Sequence, residues 1–451
     1  MNCTTCSGTG RARNAGVVGL EEDCPACQPP GADEVTELVE LHASSGNGEQ
    51  PPSLPKGSDI SGYTLAEVHA AYRKWFGKDY DLGALDAVLA TAAAEWLTGD
   101  PPWLLVVGGS GATKTETIVP LAGAGAEIVS TLSGEAALLS GTSEKEKAKD
   151  SHGGLLRKLG KRGILVVKDV TSILSMHRDT RAEILAALRE VYDGKWSREV
   201  GTDGGRTLIW EGRVVVVGAV TTAWDSAYSV VSMMGDRFVL VRMNSTDNRR
   251  AAGRQALGNV SNETKMREEL SDKVQGLLAH VDDDGVDLTD AEKDAVVDVA
   301  DLVTLARTAV ERSYSGDVLW PHAPEMPTRF AKQLAQIVRG GIALGMARAD
   351  ALAVAVRCAG DTMPPIRLKV LDDVCGHPRS LTSQVVKRLQ LPRTTVDRVL
   401  QELHLLGLLI LQAEEHGSST RWIYSAAESV PINVVRSLVT RNVTPLLEDQ
   451  P

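Results

Sequence analysis

The chain has 451 residues, 43% of them apolar and 4% aromatic, so Ala, Val, Leu and Gly must fill the cores of about two to four domains. A net charge of −11 excludes attraction of nucleic acid by the molecule as a whole and leaves only a local basic surface for that purpose. No apolar run approaches the ~18 residues that span a bilayer, and the polar, cysteine-containing start lacks a secretory core, so a cytoplasmic protein without membrane contact is expected.

Four of the six cysteines, Cys3, Cys6, Cys24 and Cys27, have C-x2-C-x17-C-x2-C spacing. Two knuckles of two thiolates each complete a tetrahedral zinc site, and the metal would supply the folding energy of so small a core. The same cysteines without metal, or as a redox pair, are the alternative. A zinc ribbon is expected over residues 1–28, then a linker rich in Pro, Gly and Ser over 29–58. Cys358 and Cys375 read as inert helix residues. Helical periodicity at Tyr63–Phe76 and Leu85–Leu97 leads into WLLVVGGSGATKTETIVP, residues 103–120.

Trp103–Val107 suits a buried strand. Gly108, Gly109, Ser110, Gly111, Ala112, Thr113, Lys114 and Thr115 then follow the phosphate-loop pattern G-x-x-x-x-G-K-[ST], except that Thr113 stands in place of glycine. Backbone N–H groups in such a loop face an anion; Lys114 would reach the β/γ-phosphates of ATP and the Thr115 hydroxyl would hold Mg2+. A glycine-rich turn with a chance Lys-Thr is the plainer alternative. A helix at Thr115–Leu121, a strand at Ala126–Ser130 and a short helix at Gly134–Leu139 follow, and the charged run at 144–150 reads as solvated surface. The strand Ile164–Val167 leads to Lys168-Asp169, where Asp169 is the second candidate for Mg2+, or else a surface Asp capping a buried strand. No second acid adjoins it, so slow hydrolysis is expected.

The stretch Ser172–Tyr192 contains a long helix, for which Thr180 is the candidate N-cap. Asp203-Gly204-Gly205 signals a hairpin within 195–213, decorated by Arg198, Arg206 and Arg213. The strand Val214–Val220 ends in Thr221 and Thr222, placed to meet the γ-phosphate or the attacking water, or simply exposed. Arg237 precedes the strand Val239–Arg242. That corner suits an arginine supplied across a subunit interface to neutralise transition-state charge, or an internal ion pair with Asp236 or a neighbour.

The order of these parts resembles the AAA+ ATPases, and more closely the minichromosome-maintenance helicase branch and related P-loop ATPases of phages and mobile elements. The matching stretches are GGSGATKT, ILVVKD, LREVYDGKW with its hairpin, VVVVGAVTT and MGDRFVLVR, within about residues 100–345. The resemblance implies Thr221 or Thr222 as first sensor, Arg237 as the finger, and Arg329, in PTRFAKQLAQIVRGG, as the sensor arginine of a helical lid. It makes Lys114, Asp169, Thr222, Arg237 and Arg329 the catalytic set, with ATP bound between subunits of a homo-oligomeric ring or filament.

Helical periodicity at Asn262–His280, Asp290–Ser313 (capped by Thr289), Met326–Leu344 and Arg348–Cys358 suits that lid, or a helical spacer. Three helices follow, Ile366–Cys375, Leu381–Leu389 with Ser380 as cap, and Thr394–Leu406. A strand begins at Gly407, turns at 415–419 and returns over Thr420–Tyr424. This order resembles a winged helix-turn-helix. Arg393, Thr394, Thr395 and Arg398 would enter the major groove, Lys387 and Arg388 would hold phosphates, and Arg421 on the wing would reach the minor groove or the backbone. Docking onto a protein is the alternative.

The expected architecture is therefore α/β, with a zinc ribbon (1–28), a linker (29–58), a P-loop AAA+-like core (59–250), a helical lid (251–360), a winged helix-turn-helix (361–427) and a C-terminal tail (428–451). The expected function is that of an ATPase acting on DNA: a replication initiator, helicase or helicase loader of a phage or mobile element, with replication proteins as further partners. An ATP-gated DNA-binding transcriptional regulator with weak hydrolysis is the second reading, and an assembly scaffold the third.

Overall fold

The computed structural model describes residues 61–141, 153–201, 204–226, 237–244, 249–416 and 419–448, and the backbone of 11–13 and 21–23. The chain divides into two units, Met1–Gln50 and Pro51–Pro451. In the first, β1 (Arg11–Arg13) pairs antiparallel with β2 (Glu21–Asp23), with Ala12 opposite Glu22. Cys3, Cys6, Cys24 and Cys27, the linker, and the charged run at 144–150 lie outside the described residues.

The second unit opens with α1 (Leu65–Phe76), started by a capping box between Thr64 and Glu67, and α2 (Leu82–Ala93), capped by Asp81. The expected helix to Leu97 ends instead in a 3-10 turn at Ala94–Trp96. Strands β3 (Trp103–Val107), β4 (Glu127–Val129), β5 (Arg162–Val167), β6 (Lys195–Val200), β7 (Arg206–Glu211), β8 (Arg213–Val220) and β9 (Val239–Arg242) follow. Five of them form a parallel sheet in the order β4-β5-β8-β3-β9. Both faces are covered, which requires strands apolar on both sides. Leu104, Val106, Ile164, Val166, Val215 and Val217 face one core, and Trp103, Leu105, Val107, Leu165, Val167 and Val216 face the other.

Between strands the chain departs from simple periodicity where local chemistry demands it. The helix after the glycine loop, α3 (Lys114–Ile118), tightens into a 3-10 stretch over Val119–Ala124, because Pro120 has no N–H for a longer α-helix. The stretch Ser172–Tyr192 contains the expected long helix as α4 (Arg178–Tyr192), preceded by a separate turn of helix at Thr171–Leu174; Arg181 Nη1 donates to the Leu174 carbonyl at 2.9 Å. Thr180 therefore lies inside α4, and His177 takes the N-cap position. β6 and β7 form the expected hairpin. Trp196 faces Trp210 across it, both are buried, and Trp210 Nε1 donates to the Gly160 carbonyl at 2.9 Å.

After β9, a helix at Arg249–Asn259 precedes α5 (Glu263–Leu278) and α6 (Asp290–Ala306), the latter opened by a Thr289–Glu292 capping box. The helix expected to reach Ser313 stops at Ala306, and the chain turns into a hairpin, β10 (Val310–Arg312) with β11 (Val318–Pro321). Next come α7 (Thr328–Ala343) and α8 (Arg348–Thr362). The C-terminal block runs α9 (Pro365–Gly376), β12 (Ser380–Leu381), α10 (Thr382–Leu389), α11 (Arg393–Leu405), β13 (Leu409–His416) and β14 (Ser419–Ala426). Its sheet order is β12-β14-β13. Ser380 is a strand residue and not the expected cap; Leu381 holds the N-cap position of α10. The stretch expected as a tail carries α12 (Ile432–Thr440), whose Val434, Val435 and Leu438 are buried. One apolar cluster continues from Val68 in α1 through α5–α8 to Leu446, so the helices after β9 share the core of the sheet. Among the described residues no helix is long and apolar enough to cross a membrane.

Candidate nucleotide site and nucleic-acid interface

β8 lies between β3 and β5, so the carboxyl ends of these three strands lie side by side next to the glycine loop, where ligands of open α/β sheets bind. Gly108 N donates to the Val220 carbonyl at 3.2 Å and ties the loop to the tip of β8. Thr113 has φ +56, the left-handed region that glycine enters freely; a β-branched residue there is strained by about 1–3 kcal/mol. Its hydroxyl donates to the Ala112 carbonyl at 2.7 Å. Its carbonyl accepts from Thr117 N and Oγ1, both at 3.0 Å. Lys114 Nζ bends back over the loop and donates to the carbonyls of Gly108 (2.8 Å) and Gly109 (2.7 Å). Burial lowers the Lys114 pKa, and the opposing attraction comes from Asp169. Ser110, Gly111 and Thr115 are exposed at the mouth.

Asp169 follows β5, and its N–H donates to the Ser130 carbonyl at 3.0 Å. Its Oδ1 accepts from Thr171 N at 2.9 Å. Thr171 Oγ1 in turn accepts from Thr221 N at 3.0 Å and lies 3.4 Å from the Thr221 hydroxyl. Thr171 thus clamps the tips of β5 and β8 together. Sequence reasoning missed it; the only signal was a hydroxyl two residues after the acid. Thr221 Oγ1 also accepts from Ala223 N at 3.3 Å, whereas Thr222 is exposed beside it.

A second set of residues on this edge has no motif. Arg242, the last residue of β9, forks onto Asp225 at 2.9 and 2.7 Å, and its backbone N donates to Asp361 Oδ2 at 2.7 Å. Arg357 forks onto Asp81 at 2.6 and 2.7 Å. These pairs join the turn after β8, the end of β9, the start of α2 and helix α8. Burial raises the Asp361 pKa, opposed first by Arg357.

The two expected arginines lie at the other end of the sheet. Arg237 precedes β9 and sits 3.4 Å from Asp193 Oδ2, with its guanidinium 5.8 Å from the Tyr192 ring centre. Burial, and then the Arg329 charge, lower its pKa, while Asp193 raises it. Arg329 opens α7 and meets Glu325 at 3.2 Å. One turn on, Gln333 Oε1 accepts from the N–H of Trp103, the first residue of β3, at 3.2 Å. Arg329 is therefore placed at the amino end of β3, the end away from the glycine loop of its own chain. Two of the arginines expected to decorate the hairpin are also committed, Arg198 in β6 and Arg213 at the start of β8. Arg198 pairs with Glu135 and donates to the Leu139 carbonyl, and Arg213 pairs with Glu95 at 3.1 Å and donates to the Ala94 carbonyl at 2.8 Å.

In the C-terminal block, Lys387, Arg393, Thr394 and Arg421 are exposed. Arg388 is not free to hold a phosphate: it forks onto Asp373 at 2.8 and 2.7 Å and donates to Ser380 Oγ at 2.6 Å. Thr395 and Arg398 are half-buried and line one cleft with β10, and Arg398 reaches the tip of the β10–β11 hairpin. Among the described residues no group of three His, Cys, Asp or Glu side chains is arranged to hold a metal.

No family model and no curated protein matches the chain. Among solved structures it is similar to the Orc1 protein of Aeropyrum pernix in complex with DNA, at 14% identity over 80% of this chain and 91% of that one, with a TM-score of 0.23. That superposition is too loose to decide fold or site. The parallel sheet and glycine loop of this chain are consistent with a P-loop AAA+ fold.

Proposed function

We propose that the protein is an ATP- and Mg2+-dependent, AAA+-like ATPase that acts on DNA as a homo-oligomer, in replication initiation, helicase action or helicase loading for a phage or mobile element. The observation that carries this reading is the meeting of Lys114, Asp169 and the Thr171–Thr221 clamp at the carboxyl ends of β3, β5 and β8. The loop N–H groups and Lys114 bind the β/γ-phosphates. Thr115 and Asp169 hold Mg2+, which when bound neutralises charge on the transferring phosphoryl group. Thr222 faces the attacking water from the tip of β8. Arg237 and Arg329, at the far end of the sheet, serve the nucleotide of the next subunit.

The C-terminal block works as a winged helix, with Arg393 and Thr394 leading α11 and with Lys387 and Arg421 on phosphates. Cys3, Cys6, Cys24 and Cys27 hold a structural zinc. The test is ATP turnover with and without DNA. Stimulation by DNA, reduced about 100-fold or more in Lys114→Ala, is expected. Nucleotide binding with negligible turnover would instead support an ATP-gated DNA-binding transcriptional regulator. That reading is favoured by the lone acid Asp169 and the strained Thr113. A chain with no affinity for DNA even at low salt would remove both.

A further inference from the structure

A cleft of about 710 Å3, floored by Trp224, Arg242 and Pro364–Arg367, has β10 on one side and α11 on another. On α11 its wall is Thr395, Arg398, Val399 and Glu402, one face of the helix at three- and four-residue spacing. Three contacts join the two sides. Arg312 of β10 pairs with Glu402, whose other oxygen accepts from Arg367 Nε at 2.9 Å. Arg398 Nη2 reaches the Ser315 carbonyl at 3.4 Å. A Cβ at Gly316 would stand 2.8 Å from Arg398 Nη2, so the hairpin tip touches the guanidinium. The tip is itself ordered, since Asp317 Oδ2 accepts from Ser315 Oγ at 2.6 Å and Ser313 Oγ at 3.2 Å.

Thr395 and Arg398 are two of the four α11 residues placed to meet base edges. A reading helix must fit its face into a groove about 12 Å wide, so a hairpin and a duplex cannot occupy that face together. We infer that the β10–β11 hairpin is a gate on α11: docked, it covers Arg398 and walls the cleft that Thr395 lines, and duplex DNA must displace it. This rests on the proposed reading of α11 as the DNA-contacting helix. The charge pattern permits release. Glu402 is buried and shared by two arginines, so when Arg312 leaves with the hairpin, Arg367 still neutralises it.

The experiment measures binding of the full chain to a labelled random-sequence duplex at low salt, with amide exchange over residues 310–321. Arg312→Ser loosens the gate and leaves the Glu402–Arg367 pair. A second variant replaces Ser313 to Asp317 by an Asn-Gly turn and removes the tip from Arg398 altogether. Each is expected to bind the duplex about ten-fold more tightly than the wild type, and adding Arg393→Ala should erase that gain. Faster exchange in the hairpin with unchanged duplex affinity overturns the gate and leaves the DNA reading standing. Absence of duplex binding by the wild type and both variants overturns the DNA reading, and the gate with it.

Discussion

Thr113 is where the phosphate-loop pattern and the backbone disagree. The chain turns there as a glycine would, at φ +56, and carries a β-branched side chain through the turn. Thr113→Gly should therefore stabilise the protein by about 1 kcal/mol, the strain relieved less the entropy glycine loses on folding. Urea unfolding checks this, and an unchanged or lower midpoint would show that the bonds around Thr113 already absorb the strain. Glu95 offers a second residue-level test. Burial pushes its carboxyl up to about 7 despite Arg213 and Arg162 beside it. Burial also pushes Arg213 down to about 10. Because the folded value of Glu95 lies above the unfolded one, the folded chain binds the extra proton. The contribution is then complete below about pH 4.5 and is lost as pH rises through about 7. Between about pH 5 and 8 the thermal midpoint of Glu95→Gln should fall less than that of the wild type. Parallel profiles would refute the assignment.

Among the elements, α2 and α7 cross where Gly340 meets the Ala90 carbonyl, and an added Cβ would stand 2.0 Å from that oxygen. Gly340→Ala must push the helices apart and should cost about 1–3 kcal/mol, read as a lower denaturation midpoint with secondary structure kept. A midpoint within error of the wild type would mean the crossing is loose. Continuous apolar runs mark β3, β5 and β8 in the sequence, and helical periodicity marks α1 and α5. The end of α6 was not legible in the same way. Its apolar rhythm runs on toward Ser313, yet the chain leaves the helix after Ala306. There Arg367 Nη1 takes the carbonyls of Ala306 and Thr308 at 2.8 and 2.7 Å. A helix end satisfied by a residue some sixty positions away leaves no local cap in the sequence.

At the scale of the whole molecule, the glycine loop and the arginines sit at opposite ends of β3. Four residue steps of strand separate those ends by ~13 Å. In the proposed function, a site that uses both is completed by a second subunit. Lys114→Ala and Arg237→Ala proteins should each be inactive alone and regain a fraction of ATP turnover when mixed, with mass photometry reporting an assembly larger than one chain. Mixtures as inactive as their parts would remove the intersubunit site. The amino-acid sequence by itself determined the strand–loop–helix around Gly108–Thr115, the acid after β5, the hydroxyls after β8 and the helix–helix–hairpin order near the C-terminus. Each of these is a pattern among near neighbours, set by side-chain period and turn chemistry. Only the tertiary structure decided which cations have charge to spare. Arg388 is spent on Asp373, Arg213 on Glu95, and Arg398 lies under the hairpin tip. It also decided that Arg329 stands at the amino end of β3, because the reach of a guanidinium depends on partners distant in the chain.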